Sequence, residues 1–326
     1  MKLLPCVFRR GSVVFKIAFV FASSILIACC AVTGASAQDA SVNAAWTDVR
    51  AFGAIGDGKA DDTAAIQRAI DYTATTTQGV VFFPPGGYKI TDRLKLDRNV
   101  DLMGVGLAFG SQIIPVNTDA ITILGADWPG GHAFRNHIKG LTIMMNQAEA
   151  RTAIVIDHAY TIKIENVMVF NAGSGGGISI ANAAHVTVAD VNVYGAGTGS
   201  GTGIVVKDAN VNLNNPDIEA FRYGLHVMGD QGVHLFGGHL ERNAAYGIRF
   251  DRASYNTIIG AKVSSPNAQG ITIGFLDGSS SNTVIGSRLD AYRTGFVLFQ
   301  DVTGDRQNLV IGSYLNGRVS KGIKQQ

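Results

Sequence analysis

Cysteine is nearly absent from this chain, which has three in 326 residues. All three lie within the first 30 residues, at Cys6, Cys29 and Cys30. The remainder can therefore form no disulfide bond and offers no thiol for catalysis or metal binding. Its fold must depend on hydrophobic packing and hydrogen bonds alone.

Charge is sparse as well, since only 16% of residues are charged and no run of lysine or arginine occurs. Residues 1–37 contain four basic residues and no acidic one, so the net charge falls from +2 for the whole chain to −2 for residues 38–326. A mildly acidic protein without a basic patch is a poor ligand for nucleic acid or an anionic membrane surface. We expect neither as a partner.

Residues 1–37 are typical of an export signal. A basic start is followed by an apolar run over residues 17–32, too short for a membrane span, and by the small-residue cleavage site Ala35-Ser36-Ala37. Leu26-Ile27-Ala28-Cys29 offers a second interpretation, because it resembles a bacterial lipobox that would leave a lipid anchor on Cys29. Either route predicts an exported protein, periplasmic or extracellular.

Proline is also rare, with seven in the chain, and no low-complexity linker divides residues 38–326. This length is predicted to be one domain. Within it a glycine followed by an apolar-x-apolar triplet recurs at spacings of 26, 21, 23, 23 and 25 residues. Such a period indicates a β-solenoid with one coil per repeat. The glycines are Gly177, Gly203, Gly224, Gly247, Gly270 and Gly295.

A second pattern falls between these triplets, where Asn256, Asn282 and Asn308 recur every 26 residues. Stacked coils about 4.8 Å apart would align these side chains as a hydrogen-bonded ladder. The two patterns together predict an all-β fold with three sheets per coil and nine to ten coils from about residue 45 to residue 318. A β-sandwich or propeller would need repeats of a different length.

The stretch 48–106 carries three short motifs: FGAIGDGKADDTAAI at 52–66, PPGGY at 84–88 and GVG at 104–106. It resembles the opening of the pectate-lyase-like superfamily, which includes rhamnogalacturonase and epimerase-like domains. The resemblance implies a right-handed parallel β-helix, capped by a helix expected over residues 62–73, with Asp61 or Asp62 accepting hydrogen bonds in its first turn. It does not imply one reaction, because the superfamily contains lyases, hydrolases, epimerases and inactive members.

The outward face of the first sheet is the first candidate site. If each triplet alternates in and out, the outward column passes through Val155, Ser179, Val205, His226, Arg249, Thr272 and Val297. His226 and Arg249 then lie on neighbouring coils, each preceded by a tyrosine, Tyr223 or Tyr246. Aromatic rings with polar tips suit sugar binding, although the tyrosines could also simply cover the sheet edge. We include Asp251 among the candidate substrate-binding residues.

The end of the third sheet gives a second column, in which Glu219 and Glu241 occupy consecutive coils. Two like charges so close need a cation, a neighbouring arginine such as Arg222 or Arg242, or a raised pKa. The pair is therefore the candidate acid and base for sugar chemistry, or else two solvated carboxylates.

Other motifs are incomplete. Asn117-Thr118-Asp119 resembles one polygalacturonase motif, but that family's later motifs are missing in order, so Asp119 is interpreted as a turn residue. Asp157-His158 resembles the DPH motif of alginate epimerases without its proline. No histidine has metal-ligand spacing, so no metal site is indicated, and no cofactor is certain. Ca²⁺ would be expected only for a lyase, and the acids of the 56–62 loop are interpreted as turn and cap residues.

Two functions are consistent with the sequence. The first is an exported enzyme that cleaves or epimerises a polysaccharide along the first sheet, as lyase, glycoside hydrolase or epimerase. The second is a non-catalytic solenoid that binds glycan or forms part of a surface assembly. The sequence leaves undecided whether the protein is a monomer or a homotrimer.

Overall fold

The computed structural model describes residues 46–77, 79–96, 99–108, 110–125, 133–265, 270–292, 295–300, 307–319 and 324–325. The expected export signal and the three cysteines lie outside these residues. No helix in the described part of the chain is long and apolar enough to cross a membrane.

The chain winds through three parallel sheets in the repeating order A, B, C, for about nine turns. Within the described residues the sheets have 12, 11 and 10 strands, so the predicted three-sheeted parallel β-helix is confirmed. Sheet A contains β1 (Trp46–Asp48), β3 (Val80–Phe83), β6 (Asp101–Gly104), β10 (His137–Lys139), β14 (Lys163–Glu165), β17 (Val186–Ala189), β20 (Val211–Asn214), β23 (Val233–Phe236), β26 (Thr257–Ile259), β29 (Thr283–Ile285), β32 (Leu309–Ile311) and β35 (Lys324–Gln325).

Sheets B and C complete each coil. Sheet B contains β2 (Asp57–Asp61), β4 (Gly86–Ile90), β7 (Ser111–Pro115), β11 (Leu141–Met144), β15 (Met168–Ala172), β18 (Asn192–Gly195), β21 (Asp217–Glu219), β24 (His239–Glu241), β27 (Lys262–Ser265), β30 (Arg288–Ala291) and β33 (Tyr314–Asn316). Sheet C contains β5 (Leu94–Lys95), β8 (Ile121–Leu124), β12 (Ile154–Asp157), β16 (Ile178–Ala181), β19 (Thr202–Lys207), β22 (Tyr223–Gly229), β25 (Tyr246–Ala253), β28 (Ile271–Leu276), β31 (Phe296–Gln300) and β34 (Arg318–Val319). A small fourth sheet pairs β9 (Ala133–Phe134) with β13 (Ala159–Tyr160).

One α-helix, α1 (Thr63–Thr76), packs against β1, β3, β5 and a 3₁₀ turn at Val49–Phe52. It thus contacts the first strand of sheet A and the first strand of sheet C, as a cap should. The helix buries one face against these strands, because apolar and small residues recur on that face. The buried residues are Ala65, Ile66, Ala69, Ile70 and Thr73.

The two aspartates before α1 have different roles. Asp61 accepts a hydrogen bond from the Thr63 amide at 3.0 Å, which makes it the cap that the sequence predicts. Asp62 makes no capping bond; its buried carboxylate accepts from the amides of Ile55 and Gly56, at 2.7 and 3.0 Å. Asp62 was therefore the wrong alternative for the cap, because its carboxylate turns back to fasten the glycine-rich turn to the helix start.

The asparagine ladder is confirmed. Asn256 donates its side-chain amide to Asn282 Oδ1 at 2.8 Å, and Asn282 donates to Asn308 Oδ1 at the same distance. All three side chains are buried. Each also accepts a backbone amide or donates to a carbonyl, so the polar groups of this turn are bonded within the protein.

The interior column of sheet C departs from the sequence prediction in one coil. Ile204, Leu225 and Ile248 are paired in register, but the next member is Ile273, and Ile271 is only half-buried. Inside the β-helix the Phe250 and Phe275 rings stack, with their centroids 5.2 Å apart and an angle of 6° between their planes. This stacking requires Phe275 opposite Phe250, which shifts the register by two residues from that implied by Gly270.

The same shift corrects the outward column. Thr272 is fully buried and donates its hydroxyl to the Asp290 carbonyl at 2.9 Å, so it does not face out. Val297 is also fully buried. The residue opposite Arg249 is Gly274, so the outward column runs from Val155, Ser179, Val205, His226 and Arg249 to a glycine.

Candidate functional site

Sheet C is the first sheet of the sequence prediction. It brings five of the predicted site residues together on β22 and β25. Tyr223 pairs with Tyr246, and His226 pairs with Arg249, on adjacent coils. Asp251 lies two residues beyond Arg249 and points to the same face. We call Tyr223, His226, Tyr246, Arg249 and Asp251 the sheet C cluster.

Asp251 links the two strands of the cluster. One of its oxygens, Oδ2, lies 2.7 Å from His226 Nε2 and 2.7 Å from Arg249 Nε. Its side chain is 11% exposed and that of His226 is 16% exposed. Burial raises the pKa of Asp251, but the Arg249 and His226 hydrogen bonds outweigh it and hold that pKa below its usual value.

His226 responds to the same surroundings in a different way. Burial lowers its pKa below the usual value, and the bond to Asp251 opposes this shift only in part. The imidazole is therefore neutral near pH 7. An ionised Asp251 can only accept, so Nε2 carries the proton and Nδ1 keeps a free lone pair for a proton.

The two tyrosines and Arg249 form the other half of the cluster. The Tyr223 and Tyr246 ring centroids are 5.7 Å apart, and the Arg249 guanidinium lies 5.2 and 5.3 Å from these two centroids. Arg249 Nη1 also donates to the Tyr223 hydroxyl at 3.3 Å. Arg222, which is exposed, lies 5.1 Å from the Tyr223 ring. These contacts order the aromatic surface and add positive charge beside it.

Gly274 is a residue of this site that the sequence did not indicate. A β-carbon at Gly274 would lie 2.5 Å from Cε1 of Tyr246, so the Tyr246 ring occupies the space above a missing side chain. The triplet pattern placed Thr272 in this position, which hid the glycine. The spacing of two phenylalanines was the available signal for the true register. The interval from Phe250 to Phe275 is within two residues of the interval from Tyr223 to Tyr246.

The carboxylate pair lies on sheet B, which is the third sheet of the sequence prediction. Glu219 and Glu241 are partners in register on β21 and β24, as predicted. Glu219 forms an ion pair with Arg242, and Glu241 forms one with Lys262 at 2.5 Å. The repulsion between the two glutamates is thereby offset by a separate cation for each. Arg242 was among the arginines proposed for this role, whereas Lys262 was missed.

The weaker motifs lie elsewhere. Asp119 accepts from the Thr152 amide at 2.8 Å, which fits its interpretation as a turn residue. Asp157 and His158 contact each other at 2.9 Å at the end of β12, three sheet C strands before β22, so they are not part of the cluster. Asp57 accepts from the amides of Lys59 and Ala60, as expected for a turn residue.

A lyase of this kind would be expected to hold Ca²⁺. Among the described residues, no group of three or more histidine, cysteine, aspartate or glutamate side chains converges as metal ligands. In the sheet C cluster, Asp251 Oδ2 is shared by two nitrogen donors, and Asp251 Oδ1 is the one carboxylate oxygen left without a hydrogen-bond partner, whereas Ca²⁺ takes about six to eight oxygen ligands. We therefore assign no step to a metal ion.

The fold and the polar cluster on its sheet define a solenoid of the pectate-lyase-like class. A sequence profile described as rhamnogalacturonase A/epimerase, pectate lyase-like, matches residues 46–249. The chain belongs to this family.

Individual relatives match shorter or more distant stretches. The mannuronan C5-epimerase AlgE2 of Azotobacter vinelandii is 40% identical over 67 residues, which are 18% of this chain and 7% of the relative. The chain therefore matches less than a tenth of that protein's length. The A-module of the mannuronan C-5 epimerase AlgE4 from the same organism has a TM-score of 0.64 at 17% identity, covering 86% of this chain and 91% of that one. The Streptococcus pneumoniae surface adhesin PfbA has a TM-score of 0.58 at 17% identity, covering 86% and 93%. At such identities the structural likenesses show the fold alone.

Proposed function

We propose that the chain acts on an anionic polysaccharide built of uronate units, removing the proton next to the carboxylate at the sheet C cluster. The observation that carries this proposal is the joining of His226, Arg249 and Asp251 beside two tyrosines on one outward face. Membership of a family named for pectate lyases and epimerases supports it, as does the local likeness to a mannuronan C5-epimerase.

His226 is the proposed base. Its Nδ1 is available because Nε2 donates to Asp251, and the lowered pKa keeps the ring unprotonated at neutral pH. A general base must be unprotonated at the working pH and must be held in one orientation. Asp251 is the positioning residue that supplies the second condition.

Arg249 and Tyr223 are proposed to complete the reaction. The guanidinium has more N–H donors than the bonds to Asp251 and Tyr223 use, so it can also bind the uronate carboxylate and stabilise the negative charge that forms when the proton leaves. The Tyr223 hydroxyl can return a proton. If the proton returns to the opposite face of the same carbon, the product is the epimer. If instead the neighbouring glycosidic oxygen is expelled and takes up the proton as it leaves, the product is an unsaturated chain end.

Tyr246 is proposed to bind a sugar ring. An edge of its ring lies close over Gly274, next to the Arg249 guanidinium, and these contacts hold it in place. Aromatic rings that are held in place stack on the apolar faces of sugars at low entropic cost.

Glu219 and Glu241 remain the proposed acid and base of a second candidate, a glycoside hydrolase. Their adjacency in β21 and β24 supports it, since a hydrolase needs two carboxylates near one bond. The ion pairs favour the first candidate, because each glutamate is already bonded to a cation, Arg242 or Lys262, whereas a hydrolase needs both carboxyl groups at the glycosidic bond.

A non-catalytic glycan-binding protein is the third candidate. The fold likeness to the adhesin PfbA is compatible with it, and the sheet C cluster bonds to itself as a structural network would.

In every case we propose an exported protein, cleaved after Ala37 or lipid-anchored at Cys29.

One experiment separates the candidates. The protein is incubated with polymannuronate, polygalacturonate and a neutral glucan in D₂O. A lyase gives ultraviolet absorbance of unsaturated ends, an epimerase gives altered uronate composition with deuterium on the reacting carbon, and a hydrolase gives reducing ends alone. Uronate turnover of either of the first two kinds supports the proposal, and its absence with both acidic polymers contradicts it.

A further inference from the structure

A groove of about 470 Å³ lies at the corner where the strands of sheet C give way to those of sheet A. Its lining comes from the ends of successive coils, in the turns that follow β12, β16, β19 and β22. It is within the size range of small-ligand sites. The lining residues are His158, Ala159, Tyr160, Asn182, Ala183, Ala184, Asp208 and Gln231.

Alanines create the hollow. Ala159 and Ala183 are buried, and Ala184 forms a backbone bridge to Tyr160 on the preceding coil. A large side chain at Ala184 would fill the space beside the Tyr160 ring. The surface of the groove at these positions is thus apolar.

Two aromatic side chains, His158 and Tyr160, line the groove beside these alanines. The Tyr160 ring meets the ring of the neighbouring His185 edge to face, with centroids 4.7 Å apart and planes at 70°. The Nδ1 atom of His158 lies 2.9 Å from Asp157 Oδ1. An apolar surface beside aromatic rings that are held in place is one on which the C–H faces of a sugar can pack.

Polar groups line the groove as well, and their charge differs from that of the sheet C cluster. Asn182, Asp208 and Gln231 are exposed, and Asn182 is fixed by a 2.9 Å bond to Asp157. Amides and carboxylates pair well with sugar hydroxyls. No lysine or arginine is among the lining residues, whereas the sheet C cluster holds Arg249 beside Arg222. A uronate carboxylate would face Asp208 in the groove without a cation to neutralise it.

We infer that this corner groove is a second saccharide-binding site, for an uncharged sugar unit. It is separate from the reaction proposed above, because it lies in the turns after sheet C rather than on the faces of β22 and β25. The site would hold a neutral glycan, or a neutral branch of a mixed one, independently of turnover.

Binding of neutral hexasaccharides tests the inference directly. The purified protein is titrated with hexamers of β-1,3-linked glucose, β-1,4-linked mannose and β-1,4-linked galactose, and with a mannuronate hexamer, using calorimetry and ligand-observed NMR. Ala184→Leu fills the groove, and Gln231→Ala and Asp208→Asn remove polar partners. Asp230→Asn is the matched control, because Asp230 is exposed next to Gln231 but does not line the groove.

The expected result is binding of at least one neutral hexamer that weakens about tenfold in Ala184→Leu, equal to about 1.4 kcal/mol, and is unchanged in Asp230→Asn. Gln231→Ala, which removes only exposed atoms, should weaken the same hexamer without changing the thermal unfolding midpoint, and so covers the case in which Ala184→Leu fails to fold. Three results would overturn the inference: no binding of any neutral hexamer, binding that the groove variants leave unchanged, or equal binding of the mannuronate hexamer lost in the same variants. None of these results depends on catalytic activity.

Discussion

His226 Nε2 and Asp251 Oδ2 lie 2.7 Å apart on neighbouring coils of sheet C. The same carboxylate oxygen receives Arg249 Nε, so one buried atom fixes both a histidine and an arginine. Because a charge-assisted bond is stronger and more directional than a neutral one, this contact determines how both side chains face the solvent.

The first prediction concerns pH. The unfolded His226 protonates near its ordinary pKa of 6.5 and the folded one protonates lower, so the unfolded state binds more protons below that value. We therefore expect the free energy of unfolding to fall as the pH drops below about 6.5, and turnover to fall as the pH passes the lowered pKa.

Urea unfolding from pH 7.5 to 5 measures the first effect. Burial also lowers the pKa of His137, which contributes a slope of the same sign, so the comparison is with His226→Gln. That variant should lose part of the slope and keep the His137 part. An unchanged slope would mean that His226 titrates alike in both states.

The second prediction tests the register of the core. Ile248 is fully buried in the interior column, so Ile248→Ala should cost about 2 to 5 kcal/mol through lost burial and a cavity. Ile271→Ala is the matched control, because the same change at this half-buried position should cost clearly less. Equal losses in urea unfolding would support the register implied by the glycine repeat instead.

The third prediction concerns the asparagine ladder. Asn282→Ala removes the acceptor of Asn256 and the donor to Asn308 and to the Ala253 carbonyl, all of them buried. Unpaired buried polar groups cost about 1 to 3 kcal/mol each, so we expect a loss of at least about 2 kcal/mol. Asn316→Ala, at an exposed position on β33, should change the unfolding free energy by less than about 0.5 kcal/mol. Similar losses in the two variants would argue against a cooperative ladder.

Much of this fold could be predicted from the sequence, because a repeat of fixed length sets which residues become neighbours. The period of 26 residues placed the asparagines on one line, and the Tyr223 to Tyr246 interval placed both tyrosines together. The prediction failed at Thr272, where the glycine pattern continued but the stacking of Phe250 on Phe275 determined the register. A contact between two interior rings is not visible in a local pattern.

The sequence predicted which residues belong to the candidate site, but not the contacts between their side chains. The sequence identified His226 and Arg249 as neighbours on one face and Asp251 as a candidate substrate-binding residue. The bonds that join the histidine and the arginine to one oxygen of Asp251 depend on side-chain conformations that no repeat specifies. The Lys262 partner of Glu241 was missed for the same reason, because it reaches across from the next coil.

The fourth prediction uses Gly274. Gly274→Ala would place a β-carbon against the Tyr246 ring without straining the backbone, so we expect a loss of about 1 to 3 kcal/mol and weaker polysaccharide binding. In the double variant with Tyr246→Ala the added β-carbon should cost almost nothing, because the ring it displaces is gone. Simple additivity of the two losses would show that the ring does not lie over Gly274.

The central claim is that His226, and not the glutamate pair, removes the proton from a uronate unit. The most direct measurement is turnover of polymannuronate and polygalacturonate in D₂O, read both as deuterium incorporation, for an epimerase, and as absorbance of unsaturated ends, for a lyase. The proteins compared are the wild type, His226→Gln and the double variant Glu219→Gln, Glu241→Gln. We expect turnover by the wild type and the double variant, and a loss of at least about 100-fold in His226→Gln, the range of general base catalysis, with polymer binding retained. Full turnover by His226→Gln together with loss of activity in the double variant would contradict the account and assign the reaction to Glu219 and Glu241.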